Sequence, residues 1–284
     1  MKFKKKIIIN ADDFGLAESV NQAIINTFKV NNLNSTTMMV NMMGTQHAVG
    51  LAKENPALKV GLHFCITEGA ALSGESTLTD KSGNFMSRSD LIKRILQRRV
   101  NSDDIKKEFL AQLKKFESFE IPISHIDSHQ HIHMMPQVFN AIVPLVEKRR
   151  LPMRIVCPVV NHKLMLVRPI KYIKQVITSV IAKYLKRKFS GQSNDCIISI
   201  FDLESRDGLS ADIYDRLIAM TGGNEVVELM IHPYILGRDI LNLYEATMKD
   251  KAEFLKTCEF ENRCLAGKNI FSNPSYLIIG YRDV

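Results

Sequence analysis

Cysteine and long apolar runs are scarce in this sequence. Its 284 residues include five cysteines with no C-x-x-C pair, so the sequence signals neither a disulfide framework nor a thiolate zinc site. No apolar stretch reaches the roughly eighteen residues of a membrane span. The apolar run behind the basic N-terminus is only Ile7 to Ile9, far shorter than that of a signal peptide. We therefore expect a cytoplasmic protein without a membrane span.

Acidic residues are missing from one segment of the chain. Between Lys163 and Lys188 there are eight basic residues and no acidic ones, which accounts for the whole formal net charge of +8. The excess charge is therefore a local patch and not a property of the entire protein. Because no aromatic stacking surface accompanies this patch, we expect no nucleic-acid partner.

Two common motifs are also absent. No G-x-G-x-x-G follows the first predicted strand, which argues against a dinucleotide-binding sheet, and no G-x-S-x-G marks a serine nucleophile. Short aliphatic runs instead alternate with longer helical patterns, which indicates βα units around a parallel sheet. The predicted strands are 5–10, 35–40, 59–63, 125–128, 153–157, 197–201, 226–231 and 276–279. This α/β pattern favours one irregular (β/α) TIM-like barrel domain over residues 1–284, with an open flavodoxin-like sheet as the alternative.

Four of the eight histidines lie in the block H-I-D-S-H-Q-H-I-H at 125–133. In an extended chain, residues of one parity share a face. The residues that would share it are His125, Asp127, His129, His131 and His133. Five titratable groups on one face indicate a ligand, because histidine is the commonest metal-binding side chain. A polar rim of hydrogen-bonded histidines is the structural alternative.

Other predicted strands also end in Asp or His. Asp12 and Asp13 close the first strand, and Gly15 permits a turn that would bring both carboxylates to one site. Simple capping of the next helix is the alternative for this pair. His63 and His232 each end a further strand. The carboxyl ends of parallel strands form the rim on which barrels build their active sites, so these residues are candidate site residues.

Carboxylate and imidazole ligands together favour a borderline divalent metal such as Zn²⁺, Co²⁺, Ni²⁺ or Fe²⁺, or Mg²⁺ if waters complete its coordination. One Asp and two His would leave positions open for water and substrate. A further Asp and His would then suit general base and general acid in the hydrolysis of an amide or ester. A metal-dependent sugar isomerase or lyase remains the alternative, because a fold does not fix a function.

Five segments together resemble the YdjC-like family of carbohydrate deacetylases, which includes the chitooligosaccharide deacetylases. They are N-A-D-D-F-G at 10–15, S-T-T-M-M-V-N at 35–41, G-L-H-F at 61–64, H-I-D-S-H-Q-H-I-H-M-M-P-Q at 125–137 and E-L-M-I-H-P at 228–233. The resemblance implies an irregular (β/α) barrel that removes acetyl groups from N-acetylated sugars. It also implies one divalent metal ion, usually Mg²⁺.

The resemblance further implies roles for individual residues. Asp13, His63 and His129 would bind the metal. Asp12 would act as the general base on the attacking water, and His232 as the acid that protonates the leaving amine.

Substrate contacts are expected from three more residues, Arg154, His131 and His133, with Arg154 as a partner of either the substrate or a carboxylate. Between residues 160 and 190 the chain departs from the chitooligosaccharide deacetylases. There it looks closer to the branch found beside hopanoid biosynthesis, whose substrates would be lipid-linked.

The segment 163–188 predicts a basic amphipathic helical insertion. Apolar residues follow a spacing of three to four within the predicted helix 169–187, namely Ile170, Ile173, Ile177, Val180, Ile181 and Tyr184. An ordinary barrel helix would pack this stripe on the sheet. An interfacial helix would instead touch an anionic membrane and present a lipid-linked glycan, which would make the protein peripheral to the membrane. The sequence leaves a homo-oligomer open.

Overall fold

Helices alternate with parallel strands in the computed structural model, which describes residues 4–203 and 210–284. The strands are β1 (Lys5–Phe14), β2 (Ser35–Met38), β3 (Lys59–Phe64), β4 (Ile123–Ser128), β5 (Cys196–Ile198), β6 (Val226–Ile231) and β7 (Tyr276–Ile278). The helices are α1 (Glu18–Lys29), α2 (Thr45–Glu54), α3 (Arg88–Leu96), α4 (Ser102–Glu117), α5 (Pro136–Lys148), α6 (Leu164–Val167), α7 (Pro169–Lys186), α8 (Ile213–Met220), α9 (Arg238–Leu243) and α10 (Met248–Leu265). Among these described residues, no helix is both long and apolar enough to cross a bilayer.

The strands form one parallel sheet in the order β4-β3-β2-β1-β6-β5, with β7 paired to the start of β1. The register aligns the carboxyl ends of the strands. Ala11 of β1 lies beside Ile231 of β6, and His63 of β3 lies beside Asp127 of β4. Residues that follow these positions are therefore delivered to one edge of the sheet.

The edge strands β4 and β5 are joined through residues 152–158. The Arg154 N–H donates to the Ile126 carbonyl, and the Ile197 N–H donates to the Cys157 carbonyl, both at 3.0 Å. The strand predicted at 153–157 is present only as isolated bridges, because the prolines at 152 and 158 have no N–H for a ladder. The predicted α/β class with a parallel sheet is confirmed, and this seam gives the sheet an irregular closure.

The two faces of β1 have different surroundings. Ile7, Ile9 and Ala11 belong to the main hydrophobic core, as do the buried faces of most helices. Ile8 belongs to a second, small cluster on the opposite face, whose other members are Val226, Ile279 and Tyr281. Further along that inner face the side chains become polar, at Asn10 and Asp12. The interior is therefore apolar near the amino ends of the strands and polar near their carboxyl ends.

Helix α7 exposes most of its apolar residues to solvent, whereas an amphipathic helix of a globular protein usually buries them. Its buried residues are Gln175, Ser179, Ala182 and Leu185. Its apolar stripe instead faces outward, with Ile170 72% exposed and Ile173, Ile177, Val180 and Tyr184 each more than half exposed. The amphipathic helix predicted at 169–187 is present, and Ile181 of the predicted stripe packs against the core. Packing of the whole stripe on the sheet is wrong, because the inner face is formed mainly by Gln175, Ser179, Ala182 and Leu185.

Close packing inside the sheet requires a glycine on β3. A Cβ at Gly61 would lie 2.7 Å from both the Nδ1 atom and the backbone oxygen of His125. The His125 ring is buried and stacks on the Tyr281 ring with centroids 4.0 Å apart, so it has little room to move.

We expect Gly61→Ala to lower the free energy of unfolding by about 1–3 kcal/mol, because overpacking forces side chains or backbone to shift. Urea denaturation followed by circular dichroism measures this loss. Gly50→Ala in α2 is the matched control, since its new Cβ meets no atom within 4 Å beyond its chain neighbours and its own helix backbone, and alanine favours a helix by about 1 kcal/mol. Unchanged stability of Gly61→Ala would contradict the packing argument.

Candidate active site

A cavity of about 410 Å³ lies at the carboxyl end of the strands. Six of the sequence-predicted site residues line it: Asp12, Asp13, His63, His129, His131 and His232. They follow or end β1, β3, β4 and β6, so the sheet register brings them together from positions up to 220 residues apart. The expected gathering of strand ends at one rim is therefore present.

The adjacent carboxylates Asp12 and Asp13 reach the same cavity because the backbone turns between them. Asp13 has a φ of 69°, in the left-handed region, and the pairing of β1 with β2 shifts register between Ala11 and Phe14. A regular strand would send the two side chains to opposite faces. The sequence pointed to Gly15 for this turn. Gly15 does have a φ of 92°, but the left-handed backbone already begins at Asp13.

Asp13, His63 and His129 form a compact donor set. Asp13 Oδ1 lies 2.9 Å from His129 Nδ1 and 3.3 Å from His63 Nε2. One potential ligand atom from each of the three buried residues lies within 4.8 Å of the others. The hydroxyl of Tyr234 donates to the other Asp13 oxygen at 2.5 Å and fixes the carboxylate. One oxygen and two imidazole nitrogens at this spacing suit a single divalent ion.

Electrostatics at this donor set favour positive charge. Burial opposes protonation of His63, yet the Asp127 and Asp13 carboxylates outweigh it and raise its pKa to about 10. Burial likewise opposes protonation of His129, but Asp13 and Glu68 raise its pKa to about 9. Asp13 itself is penalised by burial, while the two imidazoles hold its pKa well below the usual range. The carboxylates of Asp13, Asp127 and Glu68, which raise these two histidine pKa values, would also stabilise a bound cation.

Asp127 orients His63. Its carboxylate accepts a hydrogen bond from His63 Nδ1 at 2.7 Å and another from the Thr37 hydroxyl at 3.0 Å, which leaves His63 Nε2 facing Asp13. Asp12, His63 and Asp127 also bring donor atoms within 4.8 Å of one another. At that position, however, the Arg154 guanidinium already lies 2.7 Å from both carboxylates.

Arg154 lies inside the sheet and not on the cavity wall. It has no exposed surface, donates two hydrogen bonds of 2.7 Å to Asp12, and pairs with Asp127 and Glu228. Tyr281 donates to Glu228 from the far side. Burial acts against the Asp12 carboxylate, but Arg154 lowers its pKa overall, whereas burial raises the pKa of Glu228. Two roles were expected for Arg154. The structure agrees with its role as a partner of carboxylates. A direct contact with substrate is wrong, because the side chain is fully buried and does not reach the cavity.

The histidine block is extended only as far as Ser128. His129–Met134 forms a 3-10 turn in which Gln130 and His131 have φ of 52° and 56°. The expectation that all five titratable residues share one strand face is therefore wrong, because the chain turns at the end of β4.

The turn sends the last two histidines in different directions. His131 is partly exposed and lines the cavity. His133 is fully buried, bonded to the Ser128 hydroxyl and donating to the Arg154 carbonyl at 3.0 Å. The substrate contact expected of His133 is thus corrected to support of the Arg154 backbone, and the contact expected of His131 stays a prediction.

His232 follows β6 and is held by its backbone. Its N–H donates to Glu261 at 2.7 Å, and its ring packs edge-on against Phe201 and Phe254. The ring atom Nε2 lies 3.9 Å from Asp12 Oδ2, and Nδ1 has no hydrogen-bond partner among the described residues. Burial lowers the pKa of His232, so the ring is neutral near pH 7.

Several residues of the site were not identified from the sequence. The cavity wall also contains Phe201, Met230, Tyr244, Lys251 and Phe254. No motif marks Phe201, Tyr244, Lys251 or Phe254, since they come from helices and turns whose positions depend on the tertiary fold. Met230 lies on β6 within the segment E-L-M-I-H-P, but nothing in that segment distinguishes it as a wall residue. Glu228 did carry a signal, because a carboxylate within the apolar strand Val226–Ile231 needs a buried partner.

Comparison with known proteins agrees with the segments noted in the sequence. The family described as YdjC-like protein matches residues 6–261. The chain belongs to the YdjC-like family. The resemblance predicted from the sequence is therefore confirmed.

Relatives of this YdjC-like chain include a carbohydrate deacetylase of Geobacillus stearothermophilus, 34% identical over 80% of this chain and 78% of the relative. A carbohydrate deacetylase of Clostridium beijerinckii is 41% identical over 52% of this chain and 59% of the relative. A chitooligosaccharide deacetylase of Yersinia enterocolitica is 40% identical over 54% of this chain and 60% of the relative. The matches to the last two span less than two thirds of those relatives.

A solved structure shares the fold. It is an Enterococcus faecalis protein provisionally described as a cellobiose-phosphate cleavage protein, with a TM-score of 0.76 at 21% identity over 99% of this chain and 98% of that one. At this identity the likeness extends to the fold alone.

We expect Arg154→Met to lower the free energy of unfolding by about 3–5 kcal/mol, because it leaves buried carboxylates without a counter-charge. Urea denaturation measures the loss. Arg149→Met is the matched control, since the Arg149–Glu117 pair is partly exposed and should contribute about 1 kcal/mol or less. If Arg154→Met does not accumulate, Arg154→Lys should fold and lose less. Equal losses at positions 154 and 149 would contradict a structural role for the buried cluster.

Proposed function

We propose that this protein is a metal-dependent deacetylase that removes acetyl groups from N-acetylated sugars. The observation that carries the proposal is the buried Asp13–His63–His129 donor set, which shares one cavity with Asp12 and His232. Relatives named carbohydrate deacetylase and chitooligosaccharide deacetylase support the substrate class.

Asp13, His63 and His129 would hold one divalent ion. Two imidazole nitrogens favour Zn²⁺ or another transition metal, whereas Mg²⁺, implied by the resemblance, would rely on water for its remaining ligands. When bound, the ion would supply Lewis-acid polarisation of the acetyl carbonyl and of the attacking water. Asp127 would keep His63 in the ring orientation that such binding requires, a contribution typical of hydrogen bonds to metal-binding histidines.

Asp12 is the proposed proton acceptor. Arg154 and Asn10 both donate to its carboxylate, so it stays ionised and fixed at the cavity wall. As the water oxygen bonds to the acetyl carbon, Asp12 would take the proton that the water loses.

His232 is the proposed donor to the leaving amine. Because its ring is neutral at the start, it must first receive a proton. Asp12 lies 3.9 Å away and is placed to pass on the proton taken from water. As the C–N bond breaks, His232 would deliver that proton to the amine nitrogen. The products are acetic acid, which ionises to acetate on release into water, and a free amine, and both side chains return to their starting states.

The cavity wall suits a sugar. Phe201, Tyr244 and Phe254 present aromatic rings on which the apolar face of a sugar ring can pack, and Lys251 and His131 add polar contacts. The proposed substrate is an N-acetylated sugar in a free oligosaccharide or in a lipid-linked glycan. The second form would require a membrane-facing surface on the protein.

We expect Asp13→Ala, His63→Ala and His129→Ala each to lose most of the bound metal, because each removes one of three protein ligands. Elemental analysis of the purified variants measures the metal per chain. His131→Ala is the matched control, since it lies on the same wall outside the donor set and should keep its metal. Stoichiometric metal in all three variants would exclude this ligand set.

Asp12→Asn should keep its metal but lose roughly 10²–10⁴ in turnover, the usual contribution of a positioned base. His232→Gln should do the same. Acetate release from N-acetylglucosamine oligomers measures turnover. Asp103→Asn, on an exposed carboxylate outside the cavity wall, should leave turnover unchanged. Near-normal turnover in both site variants would contradict the assigned roles, and sugar isomerisation without acetate release would contradict the proposed reaction.

A further inference from the structure

Exposed apolar side chains concentrate on one part of the surface. Of fourteen large hydrophobic side chains exposed among the described residues, eight lie on α6 and α7. They are Met165, Leu166, Val167, Ile170, Ile173, Ile177, Val180 and Tyr184. We refer to these eight residues as the α6–α7 face. An exposed apolar patch rimmed by polar residues commonly marks an interaction surface.

The spacing on α7 shows that this exposure is systematic. Residues 170, 173, 177, 180 and 184 recur at alternating intervals of three and four, which places them in one line along the helix. The opposite side of the helix is buried through Gln175, Ser179 and Leu185. The helix is therefore anchored to the body of the protein by one face and offers the other to a partner.

The positive charge around the α6–α7 face favours a negatively charged partner. The basic residues Lys163, Arg168, Lys174, Lys183, Arg187 and Lys188 are all exposed, and no acidic residue lies in 163–188. Lys174, Lys183 and Lys188 flank the apolar line at the positions that would meet the flanks of a paired helix. A second copy of α7 would set these lysines against each other, which disfavours self-association. An anionic partner removes that conflict.

We propose that the α6–α7 face binds the surface of an anionic membrane. The apolar line would enter the headgroup region while the flanking lysines contact lipid phosphates, which is the arrangement of an interfacial amphipathic helix. The cation–π contact of Lys188 with Tyr184, at 4.7 Å, places charge and aromatic ring side by side at one end of the line, as such an interface favours.

The bound face would lie close to the cavity. Lys171 of α7 donates to the carbonyls of Phe201 and Leu203, both at 2.7 Å, and the Phe201 ring lines the cavity. Membrane attachment would therefore bring the cavity near the lipid headgroups, where a lipid-linked sugar would be presented. This last step rests on the proposed function, whereas attachment itself does not.

Co-sedimentation with vesicles tests the attachment without any turnover. Vesicles of phosphatidylglycerol and phosphatidylcholine in equal amounts should pellet the protein at 0.1 M salt, and pure phosphatidylcholine vesicles should pellet far less. Binding should fall steeply towards 1 M salt, where the Debye length drops from about 10 Å to about 3 Å. No binding to the anionic vesicles at low salt would overturn the proposal.

Matched variants test the face itself. The triple variant Lys174→Glu, Lys183→Glu, Arg187→Glu should weaken vesicle binding about 100-fold or more, since each basic residue near an anionic surface contributes about five-fold. Ile173→Asp should also weaken it. The controls carry equivalent changes of charge and polarity at exposed positions elsewhere: Lys93→Glu, Lys114→Glu, Lys148→Glu together, and Leu96→Asp, whose side chain is 75% exposed. Equal losses in face and control variants would contradict the α6–α7 face as the contact.

Two further measurements separate other partners. Sedimentation velocity of the protein alone reports self-association, and a dimer abolished by Ile173→Asp would assign the face to a second copy. A gel shift with a 20-nucleotide duplex reports nucleic-acid binding, and tighter binding to the duplex than to anionic vesicles would also overturn the proposal.

A final comparison links attachment to activity. Charge reversal on the face should reduce deacetylation of a lipid-linked N-acetylated sugar in vesicles and leave that of a short soluble oligomer unchanged. Loss with both substrates would contradict the presentation role. Absence of deacetylation in the unmodified protein would count against the proposed function and not against membrane binding.

Discussion

The buried charge cluster around Arg154 is the constraint on which the rest of the structure depends. One guanidinium meets carboxylates from three strands, Asp12 on β1, Asp127 on β4 and Glu228 on β6. It is carried by the irregular segment that joins the edges of the sheet. Such a cluster is costly to desolvate, so it persists only when every charge has a well-placed partner. Its geometry therefore ties together strand register, closure and the position of two site carboxylates.

A short series of contacts from this cluster fixes the positions of side chains in the cavity. Arg154 fixes Asp127, Asp127 fixes the ring of His63, and His63 faces Asp13. On the other side Arg154 fixes Asp12, whose carboxylate lies near His232. The candidate donor set and the proposed proton-transfer pair thus share one anchor, while the left-handed backbone at Asp13 turns its carboxylate away from that of Asp12.

Much of this arrangement was predictable because it depends on local pattern. Strands that end in Asp or His must deliver those residues to one rim of a parallel sheet, so Asp13, His63 and His232 were identified without coordinates. The directions of side chains beyond a strand end were not predictable from the sequence. His131 and His133 point in different directions only because the chain turns after Ser128. Whether Arg154 faces substrate or carboxylates depends on Asp12, Asp127 and Glu228, which lie 142, 27 and 74 positions away in the sequence. Which face of α7 points outward depends on which face packs against the rest of the protein. Neither is encoded in periodicity.

The donor set and the wall that would grip a sugar come from different stretches of the chain. The three donors all precede residue 130, whereas the aromatic wall residues Phe201, Tyr244 and Phe254 all follow residue 200. Substitutions in the later stretch can therefore reshape the wall and leave the donors untouched. Selection for another glycan would then act on these wall positions, while purifying selection would hold the donors, Glu228, His232 and Tyr234 constant.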